Sequence, residues 1–148
     1  MSTKTSVNSI NGRGVINGLG EGHILVSKQP FMFAHGVDPE TGRVIDVRSD
    51  IFGKNIRNKV LVFPYGKGST TGSAWFLEAI RLGNGPAAVI NDETEPIIAS
   101  ALIIARILYD TRIPLADRLE QEIPEVEKDK VVVLVEGNKG LVTLKPKS

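Results

Sequence analysis

The residues best suited to chemistry lie in one stretch, Val60-Leu-Val-Phe-Pro-Tyr-Gly-Lys-Gly-Ser-Thr-Thr-Gly-Ser73. Gly66, Gly68 and Gly72 are interleaved with Lys67, Ser69, Thr70, Thr71 and Ser73. A glycine-rich, hydroxyl-rich loop that leads into a helix is a ready anion site. Free backbone N–H groups and the positive end of the helix dipole point at the same spot.

The spacing excludes three familiar loops. A phosphate-binding G-x-x-x-x-G-K-[ST] loop starting at Gly66 requires glycine where Thr71 stands. The dinucleotide pattern G-x-G-x-x-G also requires glycine at 71, and Gly72 comes one residue late. A nucleophile elbow G-x-S-x-G would place Thr70 at the nucleophile position. The two histidines, His23 and His35, both lie upstream, and no triad order follows.

The elements that must position this loop can be read around it. Val60 to Phe63 is a short, β-branched apolar run, a buried strand, and Pro64 ends its pairing. A helix is expected over about 73–82, stopped by Gly83-Asn-Gly85. Pro86 to Ile90 reads as another buried strand. Asp92, Glu93 and Glu95 stand before or within a second helix start, and Pro96 suits its first turn. That helix is expected to run to about Leu108. Its core, Ile97-Ile-Ala-Ser-Ala-Leu-Ile-Ile-Ala-Arg-Ile-Leu108, has only Ser100 and Arg106 as polar residues. A helix this apolar is either buried on all sides or covered by a partner, and full enclosure is hard in one small domain.

Further strands are expected at Gly14–Ile16, His23–Val26, Arg43–Val47 and Ile113–Ala116, with Asn17 to Gly22 as a turn. Pro30 to Ala34 is apolar but too short to assign. Asp38-Pro and Thr41-Gly make a turn, and 48–58 is a polar loop. Asp117 to Glu127 is charged and broken by Pro124. Val131 to Glu136 and Leu141 to Leu144 flank Gly137-Asn-Lys-Gly140 as a terminal hairpin. Residues 1–11 read as a frayed tail. The sum is a mixed α/β domain over 12–148, with helices on a compact strand layer, and not a plain doubly wound sheet.

Composition narrows the function. A chain of 148 residues fits one domain and is long enough to bury roughly 70% of its unfolded surface. A net charge of +1 offers no electrostatic case for nucleic acid or an anionic membrane. There is no cysteine, hence no disulfide framework, thiol nucleophile or thiolate ligand for zinc or iron–sulfur. With two isolated histidines, no metal site is expected from this chain alone. The polar N-terminal segment lacks the apolar core of a signal peptide, and no stretch reaches the ~20 apolar residues of a membrane span. A cytoplasmic location is expected.

Gly66-Lys-Gly-Ser-Thr-Thr-Gly-Ser73 resembles the Gly-x-Gly-Ser-Ser/Thr loop on the swivelling domain of the aconitase superfamily. Gly36-Val-Asp-Pro-Glu-Thr-Gly42, Asp46, Gly53-Lys54, Pro86-Ala-Ala-Val-Ile90 and Glu93-Thr-Glu-Pro-Ile-Ile98 make it more similar to the small subunit of the aconitase X branch. The resemblance implies a swivelling β/β/α domain with the glycine-rich loop at a helix N-terminus. It implies a hydro-lyase of two subunits, inactive as this chain alone. The large subunit would carry an iron–sulfur cluster and most substrate contacts. Two activities are implied within the branch. One dehydrates mevalonate 5-phosphate to trans-anhydromevalonate 5-phosphate in the mevalonate pathway of isoprenoid biosynthesis; the other dehydrates cis-3-hydroxy-L-proline. Glu93-Thr-Glu-Pro-Ile-Ile98 on a stand-alone small chain looks more like the first. A non-catalytic anion-binding module is the reading from a different class.

By the same resemblance Ser69 aligns with the serine that acts as base. An alkoxide needs stabilisation, which loop amides and the helix dipole would supply. Lys67, Gly68 and Thr70 would hold the anionic substrate. In aconitases proper an arginine follows the two hydroxyl residues; Thr71 stands there in this chain. The plainer readings are a capping serine at 69, a solvated Lys67, caps at Thr70 and Ser73, a surface His35, a turn-forming Asp38, and dipole-complementing Glu93 and Glu95.

Overall fold

The computed structural model describes residues 9–123 and 130–144. Seven strands form a closed barrel: β1 (Ser9–Ile16), β2 (Gly18–Val26), β3 (Val60–Phe63), β4 (Ala88–Asn91), β5 (Leu115–Asp117), β6 (Lys130–Glu136) and β7 (Lys139–Leu144). Around the ring the order is β1-β5-β4-β3-β2-β6-β7, and β7 pairs back onto β1. The pairs β2/β3, β3/β4 and β4/β5 are parallel, and the remaining pairs are antiparallel.

The parallel arc requires crossovers. Helix α1 (Thr71–Arg81) joins β3 to β4, and α2 (Pro96–Tyr109) joins β4 to β5. The long connection from β2 to β3 is an irregular segment stitched by the bridges Val37–Val44, Arg43–Asn55 and Phe31–Gly66. The alternating Arg43–Val47 stretch makes only two of these bridges and is not a strand.

Two apolar clusters follow from strand periodicity. Ile10, Ile24, Val60, Ala88, Ile90, Ala116, Val131, Val133, Val135 and Val142 form one of them, the lining of the barrel. Val131, Val133 and Val135 alternate with less buried neighbours, as expected for a strand covered on one face. Leu25, Leu61, Phe63, Val89 and Leu115 belong to the second cluster, with Phe31, Phe33, Phe76, Ile98 and Leu102. Strands β3 and β4 are therefore covered on both faces, which is why their sequences are unbroken apolar runs.

Two expectations shift. Ser9 to Asn11, read as tail, pair with β7, while residues 1–8 lie outside the described part. Glycine-rich Gly18–Gly22, read as a turn, is the first half of β2 and pairs with β6. Its glycine content has a packing cause: a Cβ on Gly20 would sit 2.1 Å from the Ala87 carbonyl oxygen. Pro124 and Glu127, at the end of the charged stretch, lie outside the described residues.

Helix α2 divides its apolar residues between two faces. Ile98, Ala101, Leu102 and Ala105 are buried, whereas Ile103 is 48% and Ile107 73% exposed. The inner face is core, and the outer face is open in this chain. No described helix is long and apolar enough to cross a membrane.

Candidate active site

Strands β2, β3 and β4 run in the same direction, so the segments that leave them emerge at one end of the barrel. Loops at the carboxyl ends of parallel strands are the usual ligand-bearing position. The loop after β3 spans Pro64 to Thr70 and delivers the chain into α1. Its base is fixed: the Pro64 carbonyl accepts from the Asp92 and Glu93 amides, and Phe31 and Tyr65 join by a backbone hydrogen bond of 3.0 Å. The Lys67 amide donates to the Phe31 carbonyl at 2.9 Å. Gly68 then turns with φ +105, in the region that side chains disfavour, and a Cβ there would lie 3.2 Å from the Met32 side chain.

Ser69 follows at the exposed tip. Its hydroxyl is hydrogen-bonded to the hydroxyl of Thr71, the first residue of α1. Its carbonyl accepts from the Gly72 amide at 2.9 Å. Thr70 occupies the N-cap position in a helical conformation, and its side chain makes no capping bond. Ser73 donates its hydroxyl to the Thr70 carbonyl at 2.9 Å. So Thr70 and Ser73, read as caps, do not cap with their hydroxyls, and α1 starts at Thr71 rather than near 73.

Lys67 is exposed and faces a small cleft of about 30 Å³ lined also by Asp46, Arg48, Gln29 and Ser49. The Asp46 carboxyl lies below its usual range, chiefly because it accepts from the Arg48 amide, with the Arg48 guanidinium and the Lys67 charge adding to this. Sequence reading set Asp46 among supporting residues and placed Arg48 in a loop. About twenty residues, mostly irregular chain followed by β3, separate them from Lys67, and periodicity carries no signal across such a gap.

The remaining candidates have structural partners. Glu95 is the N-cap of α2, accepting from the Ile97 and Ile98 amides at 2.8 and 2.9 Å. Glu93 pairs with Arg118 at 2.6 and 3.0 Å. Asp38 accepts from the Glu40 amide within its turn. His35 is exposed at φ +59, its ring centroid 4.6 Å from that of Trp75 on α1. A larger cleft of about 710 Å³ opens at the barrel mouth between Val26, Val62, Ile90 and Leu119, and Ser69 does not line it.

Among the described residues no three His, Asp or Glu side chains gather into a metal-binding group, and the whole chain has no cysteine. The donor set does not fit an iron–sulfur cluster.

A family profile described as aconitase X swivel domain matches residues 9–144. The chain belongs to the aconitase X swivel-domain family. Similar members include the phosphomevalonate dehydratase small subunit of Methanosarcina acetivorans, 45% identical over 93% of this chain and 92% of that protein. The protein of the same name from Thermococcus sibiricus is 43% identical over 86% of this chain and 98% of its own length. Among solved structures, the crystal structure of Thermococcus kodakaraensis aconitase X (holo-form) superposes with a TM-score of 0.82 at 37% identity, covering 93% of this chain and 98% of that one. The solution structure of a UPF0107 protein gives 0.77 at 35% identity, covering 93% and 99%. The family expected from the 66–73 loop is thus the family found, and the α/β fold is shared with the aconitase X structure and the UPF0107 protein.

Proposed function

We propose that this chain is the small subunit of a phosphomevalonate dehydratase, converting mevalonate 5-phosphate to trans-anhydromevalonate 5-phosphate in the mevalonate pathway, in the cytoplasm. Ser69 is the base. It takes a proton from substrate carbon, the C–H pair becomes the new double bond, and the hydroxyl on the neighbouring carbon leaves as hydroxide, which becomes water when the proton taken by Ser69 is passed to it. The observation that carries this reading is the placing of Ser69: an exposed hydroxyl between a glycine of positive φ and a helix N-terminus, in a chain whose relatives bear that enzyme's name. Gly68 lets the backbone turn close to the substrate, and Lys67 and Thr70 line its approach.

A large subunit completes the site and carries the iron–sulfur cluster, for which this chain has no cysteine ligands. The relatives named above share one name and lend no support to the cis-3-hydroxy-L-proline reading or to a non-catalytic anion module. The purified chain alone is expected to fold, bind no iron and show no turnover. Copurified with its large subunit, it is expected to dehydrate mevalonate 5-phosphate and leave cis-3-hydroxy-L-proline unchanged. Turnover by the isolated chain, or the reverse substrate preference, overturns this reading.

A further inference from the structure

We propose that Thr71 is the positioning residue for Ser69: its hydroxyl aims the Ser69 oxygen and donates to it when that oxygen carries negative charge. This rests on Ser69 being the base. The Ser69 and Thr71 hydroxyls are already hydrogen-bonded to each other. Three amides of the loop and the first helical turn are engaged elsewhere: Lys67 with the Phe31 carbonyl, Gly72 with the Ser69 carbonyl, Ser73 with the Thr70 carbonyl. The Ser73 hydroxyl is turned to the Thr70 carbonyl, so Thr71 is the loop hydroxyl that meets Ser69.

Thr71 is also the better-fixed partner. It opens α1, and β-branching restricts its χ1. The first turn beneath it is packed at ordinary contact distance. A Cβ on Gly72 would lie 3.7 Å from Ile97 and 4.0 Å from the Ala34 amide nitrogen. One turn on, Phe76 stacks on Phe33 with ring centroids 4.0 Å apart. Ser69, by contrast, hangs from the positive-φ turn at Gly68.

A hydroxyl donates one bond and accepts others. While Ser69 is neutral, either group can be the donor. Once the Ser69 oxygen is anionic, only Thr71 can donate, and a charge-assisted O–H···O⁻ bond is roughly twice as strong as a neutral one. The bond therefore strengthens in the state that removes the substrate proton. After transfer, Ser69 is again a neutral hydroxyl and Thr71 keeps its own proton.

The test uses the assembled two-subunit enzyme with Ser69→Ala, Thr71→Val, Thr71→Ala and Thr71→Ser. Losing one donor to an oxyanion that develops in the transition state costs about 10²–10³ in kcat; the Ser69 charge forms before transfer and is spent in it, so the loss expected here is smaller. Thr71→Val and Thr71→Ala should each lose at least tenfold in kcat, with KM within about threefold. Because the base becomes harder to ionise, the rising limb of kcat against pH should move to higher pH. Thr71→Ser should restore most of the rate and the wild-type limb. If Ser69→Ala stays active, the base assignment fails and takes this inference with it. If Ser69→Ala is dead while Thr71→Val and Thr71→Ala match wild type, this inference alone falls. It also falls if the valine and alanine variants lose rate without moving the pH limb, or if the serine variant does no better than they do. Thr71 is exposed, so none of these changes removes core packing.

Discussion

The two arcs of the barrel obey different rules. Along β2, β3, β4 and β5 the strands pair in parallel, and β3 and β4 are packed on both faces, inside by Val60, Ala88 and Ile90 and outside by α1, α2 and the 27–59 crossover. Along β6, β7 and β1 they are antiparallel, and β6 shows the alternation of a strand with one face turned inward. The connections differ in the same way. The parallel arc needs long crossovers, and one of them carries the 64–70 loop; the antiparallel arc turns between β6 and β7 through Gly137 and Asn138. The lesson is a division of labour. Parallel pairing makes room for a chemical loop, and antiparallel pairing closes the ring cheaply in chain length.

That division can be broken experimentally. The largest effect belongs to the loop of the parallel arc. In the assembled enzyme Ser69→Ala should lose on the order of 10²–10⁴ in kcat, or ~3–5 kcal/mol of barrier, while its Tm stays at the wild-type value. Thr70→Ala and Ser73→Ala are the controls and should lose far less rate. Retention of more than about a tenth of wild-type kcat by Ser69→Ala is well short of a general base's worth and would sink the assignment.

The antiparallel arc should answer in stability instead. Ile10 on β1 is buried in the barrel lining. Ile10→Ala should cost about 2–5 kcal/mol by denaturant unfolding, with kcat per folded complex unchanged. A selective loss of kcat would show that the two arcs are not separable.

The seam between the arcs should give the smallest change. Asp117 at the end of β5 is buried and accepts two hydrogen bonds from Arg13 on β1, at 2.8 and 2.7 Å, and one from the Thr94 amide at 2.9 Å. Burial pushes its carboxyl up, but the Arg13 and Thr94 bonds outweigh burial, so the carboxyl lies below its usual range. A depressed folded pKa means stability that is present above the unfolded pKa and lost as pH falls through the folded one. Asp117→Asn should therefore cost about 1–3 kcal/mol near neutral pH. The gap to wild type should narrow as pH drops below about 4. A gap that stays constant down to pH ~3 would mean the carboxylate charge is not what holds the seam.

Much of the parallel arc was legible because its signals are local. Val60 to Phe63 is an apolar run stopped by Pro64, and Pro96 with Glu95 marks the start of α2 to within a residue. The hairpin of β6 and β7 showed in its alternation. Closure of the ring was not legible, since periodicity says which face a residue takes and not which strand lies beside it. Gly18 to Gly22 looked like a turn because propensity disfavours glycine in strands, and the contact with Ala87 that demands it is long-range. The apolar length of α2 showed that it has a face to cover beyond the core. It did not show that Ile103 and Ile107 are on that face and Leu102 and Ala105 on the other. At the site, glycine spacing located Ser69 at a loop tip, whereas its bond to Thr71 depends on side-chain rotamers.

A closed ring has a consequence for how this subunit meets another protein. Every described strand has a neighbour on each side, so no row of free N–H and C=O groups is left as a template for a further strand. Strand addition, a common way for chains to join, is therefore closed to it through these strands. Attachment must run through side chains on helices and crossovers. The same closure ties β2, β3 and β4 into one ring, so the loops that leave them stand on a shared base.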